Sequence, residues 1–196
     1  MIDRILLLYA IERVNEYGLM EGPFKLMKVP FLSQRAMNND GEKGFNYTFF
    51  RWDYGPLSTE IYDDRDTLLR AGYITQVGTK GRIYPTEGGK QLLESLRDLF
   101  AENEGILRKI DHEAKRCANL TFSELMNAVY AMKVRFEDKN ITIKEMPRGA
   151  QVIGKIDEAD AKKVFKLDED WLDSVYGIFE RTEKERAKLS VVNKAS

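Results

Sequence analysis

Cysteine and histidine are almost absent from this chain of 196 residues, which contains only Cys117 and His112 of these two types. A single cysteine cannot form an intramolecular disulfide and suits a reducing cytosol, so we expect a cytoplasmic protein. The same scarcity excludes zinc sites with two or more Cys or His ligands, CxxC redox chemistry and triads with a second histidine. The two residues lie five positions apart in a predicted helix, off the spacing that shares a face, and we predict an exposed His112 and a half-buried Cys117.

An excess of charge of one sign is also missing, because 31 Lys and Arg residues balance 32 Asp and Glu residues. The chain therefore has no overall attraction for nucleic acid or an anionic membrane, and either kind of binding requires a local basic patch. The N-terminal apolar run ends at Glu12 and Arg13, which is too short for a membrane span, and it lacks a small-residue cleavage site. We predict a core helix there and no membrane partner.

Patterns that indicate catalysis are lacking as well. The segment 78–81 is too short for a glycine-rich phosphate loop and lies in a predicted hairpin. The carboxylates within 63–66 and 168–170 are explained as helix starts and surface charge, because spacing along one helix does not show that oxygen ligands converge on a metal. We therefore expect no enzyme activity, no cofactor, no metal site and no small-molecule substrate.

The chain does contain a clear series of helix and strand signals. Residues 3–17 have helical periodicity and Gly18 follows as a C-cap. A second helix begins at Gly22-Pro23, and Pro30 is expected to kink or interrupt it. Residues 45–52 are aromatic with partial alternation, which predicts a strand.

The elements after this strand complete a recognisable order. They are a third helix that Ser58 caps and Gly72 ends, hairpin strands at 73–77 and 82–86, and a helix from about 88 to 116 that Thr86 caps and Gly105 loosens. Helix, helix, strand, helix, hairpin and helix is the order of a winged-helix domain. We predict a mainly α fold with a small β component, with a winged-helix domain at 1–100 and a helical C-terminal segment at 101–196 packing on it.

Within the C-terminal segment, the strongest signal is the capping box formed by Thr121 and Glu124. We also expect a short strand at 141–143, a loop at 146–149 and a short helix at 157–165. A final helix is predicted to start at Asp168 and to present a broad apolar face that includes Trp171 and Tyr176.

Several motifs resemble those of a known family, the YwgA-like and Panacea (SocA-like antitoxin) winged-helix proteins. The matching segments are Lys25-Leu26-Met27-Lys28 on the second helix, the aromatic strand and corner from Arg51 to Tyr62, Leu68 to Ile74 with Tyr84 to Gly89 around the wing, and Ser123 to Met126 with Val129-Tyr130. The resemblance implies a prokaryotic or phage accessory protein, such as an antitoxin, a proteolytic adaptor or a regulator.

DNA binding is the usual role of a winged helix, which places its third helix in the major groove. Here residues 58–71 contain four carboxylates and two arginines, so this helix would be repelled by a polyanion. Phosphate contacts would fall to the second helix and the wing, where the candidates are Lys25, Lys28, Arg35, Lys80 and Arg82. The same basic side chains are equally well explained as a solvated face.

The corner at Tyr54-Gly55-Pro56 has two interpretations. It forces an abrupt change from strand to helix, with Pro56 starting the helix, and this structural reading is favoured. Alternatively, the exposed N-terminus of the helix holds an anionic group.

The aromatic residues of 45–52 favour protein contacts. Alternation places Tyr47 with Phe49 on one face and Phe50 with Trp52 on the other, so one apolar face needs a partner, and the final helix is the natural candidate. The candidate protein-interaction residues are Phe50, Trp52, Tyr54, Trp171 and Tyr176. We expect a non-catalytic binding protein that contacts another protein or self-associates, with a DNA-binding transcriptional regulator as the alternative.

Overall fold

The computed structural model describes residues 1–78 and 81–167, together with Trp171 and Gly177. The helices within this part are α1 (Ile2–Tyr17), α2 (Gly22–Asp40), α3 (Thr59–Ala71), α4 (Glu87–Ser95), α5 (Arg97–Glu102), α6 (Glu104–Ala118) and α7 (Phe122–Tyr130). The strands are β1 (Glu42–Lys43), β2 (Phe49–Trp52), β3 (Gly55–Leu57), β4 (Ile74–Val77), β5 (Arg82–Pro85), β6 (Lys133–Phe136), β7 (Lys139–Thr142), β8 (Gln151–Ile153) and β9 (Lys163–Val164). The predicted class, mainly α with a small β component, is confirmed.

The strands form small separate sheets. Three hairpin-type pairings are antiparallel, namely β2 with β3, β4 with β5, and β6 with β7. Strand β8 adds to the other side of β2, also antiparallel, and β9 runs parallel to β1. In the described ranges, none of the helices is long and apolar enough to cross a membrane.

The core lies where α1, α2 and α6 meet. Helix α1 contributes a nearly unbroken buried run from Ile5 to Leu8, and α6 contributes Ile106 and Ile110, all fully buried. Residues after position 101 therefore belong to the same core as the first two helices. The prediction of a helical C-terminal segment is incomplete, because the described part of it, 101–167, also contains strands β6 to β9.

Several elements agree with the local signals that predict them. Thr86 accepts a hydrogen bond from the Gly89 amide at the start of α4, as its capping role predicts. The capping box of α7 is present in full, because the Thr121 amide donates to Glu124 and the Glu124 amide donates back to the Thr121 hydroxyl. The hairpin of the predicted wing, β4 with β5, is also present, and its tip residues 79–80 lie outside the described residues.

The helix predicted over 88–116 is in fact three helices, with breaks at Leu96 and Asn103 rather than at Gly105. Asn103 is fully buried, and its amide nitrogen donates to the carbonyls of Leu99 and Lys166. Its side-chain oxygen accepts from the Lys166 amide at 2.7 Å. The second break is therefore associated with hydrogen bonds to a segment far along the chain.

Two other helix predictions differ from the structure, namely the interruption at Pro30 and the helix at 157–165. Helix α2 continues through Pro30 without interruption, with Pro30 buried between Val29 and Phe31, which are both fully buried. Tertiary packing therefore outweighs the lost backbone hydrogen bond. The helix predicted at 157–165 is reduced to one 3-10 turn, because β9 pairs with β1 and the Phe165 amide donates to the Lys43 carbonyl at 2.7 Å.

The aromatic segment is a shorter strand than predicted. Only Phe49–Trp52 forms β2, while Tyr47 exchanges two hydrogen bonds with the buried side chain of Gln34. Pro56 lies in β3 instead of starting a helix. Ser58 does occupy the N-cap position of α3, but its hydroxyl makes no capping bond and is buried without a hydrogen-bond partner among the described residues.

Candidate binding surface

Four exposed aromatic side chains lie together around the β2–β3 hairpin. Their exposed fractions are 42% for Phe50, 42% for Trp52, 63% for Tyr54 and 46% for Phe122. The fifth large hydrophobic residue exposed in the described ranges, Val77, lies on β4. We call Phe50, Trp52, Tyr54 and Phe122 together the aromatic surface. Clustered apolar exposure of this kind marks a binding site more often than scattered exposure does.

The strand pattern explains which aromatic residues are exposed. Side chains alternate along β2, so Phe49 is fully buried while Phe50 and Trp52 point to the other face, as predicted. Trp52 pairs with Gly55 across the hairpin, which leaves Tyr54 in the two-residue turn. Gly55 has a φ of +87°, a conformation that favours glycine.

A cleft of about 250 Å³ opens beside this surface. Its walls come from α2, β2, β3, α3, α7 and the hairpin turn. The lining residues are Pro23, Phe24, Met27, Lys28, Trp52, Tyr54, Gly55, Leu57, Tyr62 and Phe122. The Phe122 ring contacts the rings of Phe24 and Tyr54, with centroid distances of 4.3 and 5.7 Å. The cleft is therefore almost wholly apolar and aromatic, with one charged residue in its lining.

That charged residue, Lys28, is only 2% exposed. Its ammonium donates to the Pro56 carbonyl at 2.6 Å and lies 5.1 Å from the centre of the Phe24 ring. Burial, with a smaller contribution from the positive charge of Arg51, lowers the pKa of Lys28 from its usual 10.5 to about 7. An ammonium without a carboxylate partner is costly in an apolar site, which is the physical reason for this direction.

Lys25 and Lys28 were predicted as candidate phosphate contacts, and their burial contradicts that role. Lys25 is 5% exposed, and its ammonium donates to the carbonyls of Leu19 and Ala118. It therefore ties the start of α2 to the end of α6. Neither ammonium reaches the outer surface, where the phosphates of a DNA backbone would lie, although Lys28 lines the cleft.

The other predicted basic residues are not brought together. Arg82 on β5 is 41% exposed and faces Glu21 at 3.6 Å, and Arg35 donates to the Lys133 carbonyl. Glu21 and Arg35 stand fourteen residues apart along α2 and its N-cap, which corresponds to about 20 Å of helix. Lys80 lies outside the described residues.

The predicted aromatic contacts of the final helix are only partly described. Trp171 is helical and half-buried, and it packs against the hydrophobic core. Tyr176 lies outside the described residues. His112 is largely exposed, as predicted, whereas Cys117 is fully buried rather than half-buried.

Sequence reasoning missed Phe122 and the role of Lys28 in this cleft. Phe122 directly follows the N-cap Thr121, so an exposed first-turn position could have been expected from the capping box. The position of Lys28 depends on Gly55 and Pro56, which lie more than 25 residues away and leave no local signal.

One arginine side chain, that of Arg148, lies at the rim of the aromatic surface. The guanidinium of Arg148 lies 4.2 Å from the centre of the Trp52 ring and 3.1 Å from the Asp53 carboxylate. Arg51 points to the opposite face of β2, where it stacks over Tyr130 and donates to the Ile143 carbonyl. The surface is therefore apolar at its centre with charged groups at its edge.

Comparison of the chain with known protein families, curated proteins and solved structures finds no match. The resemblance to YwgA-like and Panacea proteins therefore stays a prediction from sequence motifs. Within the described part of the chain, no group of three or more His, Cys, Asp or Glu side chains is arranged to hold a metal ion.

Proposed function

We propose that this chain is a non-catalytic binding protein of the winged-helix type that acts through protein contacts, as an antitoxin-like or adaptor regulator. The observation that carries the proposal is the aromatic surface, formed by four exposed rings, of which Trp52, Tyr54 and Phe122 also line an apolar cleft. Tyr, Trp, Phe, Met and Arg are the residues enriched at protein interfaces, and the centre of an interface is more apolar than its rim. The apolar cleft with its aromatic walls, and Arg148 at the edge of the aromatic surface, have this composition.

The arrangement of the first hundred residues supports the winged-helix part of the proposal. Helices α1 to α3 precede the β4–β5 hairpin, and α4 follows it. The hairpin is attached to the helices by two hydrogen bonds, from the Ile83 amide to the Met20 carbonyl and from the Asn15 side chain to the Ile83 carbonyl. A hairpin that packs on the flank of three helices is what a wing requires.

The charges of α3 favour protein contacts over DNA contacts. Asp64 binds Arg4 at 2.7 Å and accepts from the Tyr47 hydroxyl, and Glu60 pairs with Lys155. These acidic groups hold α3 against its neighbours, and they would repel phosphates in a major groove. The alternative, a DNA-binding regulator, is also weakened because Lys25 and Lys28 are buried and cannot contact DNA phosphates.

Protein capture from lysate of the cells that produce the chain tests the proposal. A partner retained by the wild type is expected to be lost with Trp52→Ser and with Phe122→Ser. The matched control is Val77→Ser, because Val77 is equally exposed but lies outside the aromatic surface. A partner that survives both aromatic changes contradicts the proposal, and a change in the sedimentation of the pure chain identifies a second copy as the partner.

A gel shift with duplex DNA tests the alternative. DNA binding at low salt that is lost with Lys80→Glu and Arg82→Glu would make DNA, not protein, the primary ligand. Phosphate contacts are salt-dependent, so such binding must weaken steeply as salt is added.

A further inference from the structure

We propose that the cleft beside the aromatic surface binds the C-terminal residue of a partner protein, taking its apolar side chain between the aromatic walls and its α-carboxylate on the ammonium of Lys28. This inference rests on the proposed function, because it names the chemistry of the partner at the same surface. It commits to one occupant, a free C-terminus with a large apolar side chain.

The first support is the unmatched charge at the base of the cleft. An ammonium has three donor hydrogens, and among the described residues the one acceptor of Lys28 is the Pro56 carbonyl at 2.6 Å. Arg51 on β2 is the charged group that acts on Lys28, and its charge has the same sign. Tyr54 in the hairpin turn and Tyr62 on α3 are the other titratable residues of the lining. An anion that enters the cleft therefore meets the ammonium of Lys28, and a buried charge-assisted hydrogen bond compensates this isolated charge.

The second support is the size and lining of the cleft. A volume of about 250 Å³ lies below the usual range of drug-sized ligand sites, roughly 300–1,000 Å³, and suits one large side chain. The rings of Phe24, Trp52 and Phe122 provide apolar contact area around it. The occupant must therefore supply both a large apolar group and an anion.

A C-terminal residue meets both requirements on a single Cα atom. The carboxylate of an internal glutamate carries only two methylene groups, which would leave the aromatic walls without apolar contact. Capture of a terminal carboxylate is also a recurrent mode of peptide recognition. These considerations favour a chain end over an internal acidic side chain.

Binding is expected to depend on pH through Lys28. The α-carboxylate stays ionised above about pH 5. The pKa of Lys28 is about 7 in the free protein, so the competent, protonated form dominates below neutrality and declines above it. Apparent affinity for a terminal carboxylate is expected to fall about tenfold between about pH 6 and pH 8, because it scales with the protonated fraction.

Two peptides that differ only at their C-terminus test the proposal with the full chain. The probes are fluorescein-labelled Gly-Ser-Gly-Phe as the free acid and as the amide, measured by fluorescence anisotropy. At about pH 6 the acid is expected to bind at least about tenfold more tightly than the amide. The amide should bind with no pH dependence, because it lacks the charge that Lys28 recognises.

Lys28→Met should abolish both the preference for the acid and its pH dependence while keeping the amide affinity. The matched control is Lys25→Met, which removes a second buried ammonium outside the cleft and should keep the preference. Phe122→Ala changes an exposed ring, so it is expected to fold, and it should weaken both peptides.

Equal binding of acid and amide by the wild type overturns the proposal, as does a preference that survives Lys28→Met or the absence of binding by either peptide. Tighter binding of an amidated peptide with an internal Glu overturns it in favour of an internal carboxylate. If neither peptide binds while Trp52→Ser still releases the captured partner, the proposal of a C-terminal ligand is refuted and the proposed function is retained. If the partner survives both aromatic changes, the proposed function falls.

Discussion

The buried ammonium of Lys28 should make the protein less stable at neutral pH than at alkaline pH. The pKa of Lys28 is lowered from 10.5 to about 7 in the fold, so between these values the unfolded chain binds a proton that the folded chain does not. Stability must then rise with pH across this window. Replacing Lys28 by Met, an unbranched side chain of similar length, removes the titrating group and keeps most of the packing.

The size of the effect follows from the two pKa values. At pH 7, deprotonating Lys28 on folding costs about 4 kcal/mol, and at pH 10 only about 1 kcal/mol, because one pH unit corresponds to about 1.4 kcal/mol. Lys28→Met also loses the hydrogen bond to Pro56, which offsets about 1–2 kcal/mol of this gain. We therefore expect the variant to be about 2–3 kcal/mol more stable than the wild type near pH 7 and no more stable near pH 10.

Urea unfolding of both proteins across this pH range measures the difference directly. Other titrating groups are shared, so they cancel in the comparison. Lys139→Met on β7 is the control, because the same substitution at an exposed lysine should give a difference that hardly changes from about pH 7 to pH 9. A stability difference between Lys28→Met and the wild type that does not change with pH, or a variant less stable than the wild type at neutral pH, would contradict the lowered pKa of Lys28.

Three further predictions concern other parts of the fold. Thr121→Ala should lose the cap of α7 and destabilise by about 1 kcal/mol in urea unfolding, while Thr121→Ser should not. Gly89→Ala should destabilise the protein by more than about 2 kcal/mol, because the added Cβ would lie 2.1 Å from the Tyr73 carbonyl oxygen. Gly88→Ala in the same helix is the control, because its Cβ has room and the change should be neutral or stabilising. Equal melting temperatures for the two variants would contradict this prediction. Burial raises the pKa of the Cys117 thiol to about 12, so a thiol reagent near pH 8 should modify it only after unfolding, and rapid labelling of the native chain would show that the thiol is accessible.

The parts of the fold that could be predicted are those whose causes lie close together in the sequence. The α7 capping box depends on two residues three positions apart, and the alternation of Phe49 and Phe50 depends only on strand geometry. The break at Asn103 could not be predicted, because its hydrogen-bond partner Lys166 is 63 residues away. Distant partners leave no periodic or compositional signal.

The candidate site divides in the same way. Trp52 and Tyr54 were predicted as contacts because exposed aromatic residues in a strand and turn are visible in the sequence. Lys28 was expected at the surface, since lysine is rarely buried, and only the Pro56 carbonyl and the rings of the cleft explain its position. The cleft itself depends on α7 docking against the hairpin, where the Tyr130 hydroxyl donates to the Asp53 carbonyl at 2.5 Å.

The pairing of β2 with β8 has a consequence for synthesis on the ribosome. Strand β2 leaves the exit tunnel about a hundred residues before β8, and Phe122 of the cleft also follows much later. During translation, Phe50 and Trp52 therefore belong to an edge strand that lacks its second neighbour, β8, and unpaired edge strands can pair with other chains. A nascent chain stalled near residue 100 should bind chaperones that recognise exposed hydrophobic segments. Its release from them should occur when β8 has been synthesised and has paired with β2, rather than when the first helices are complete.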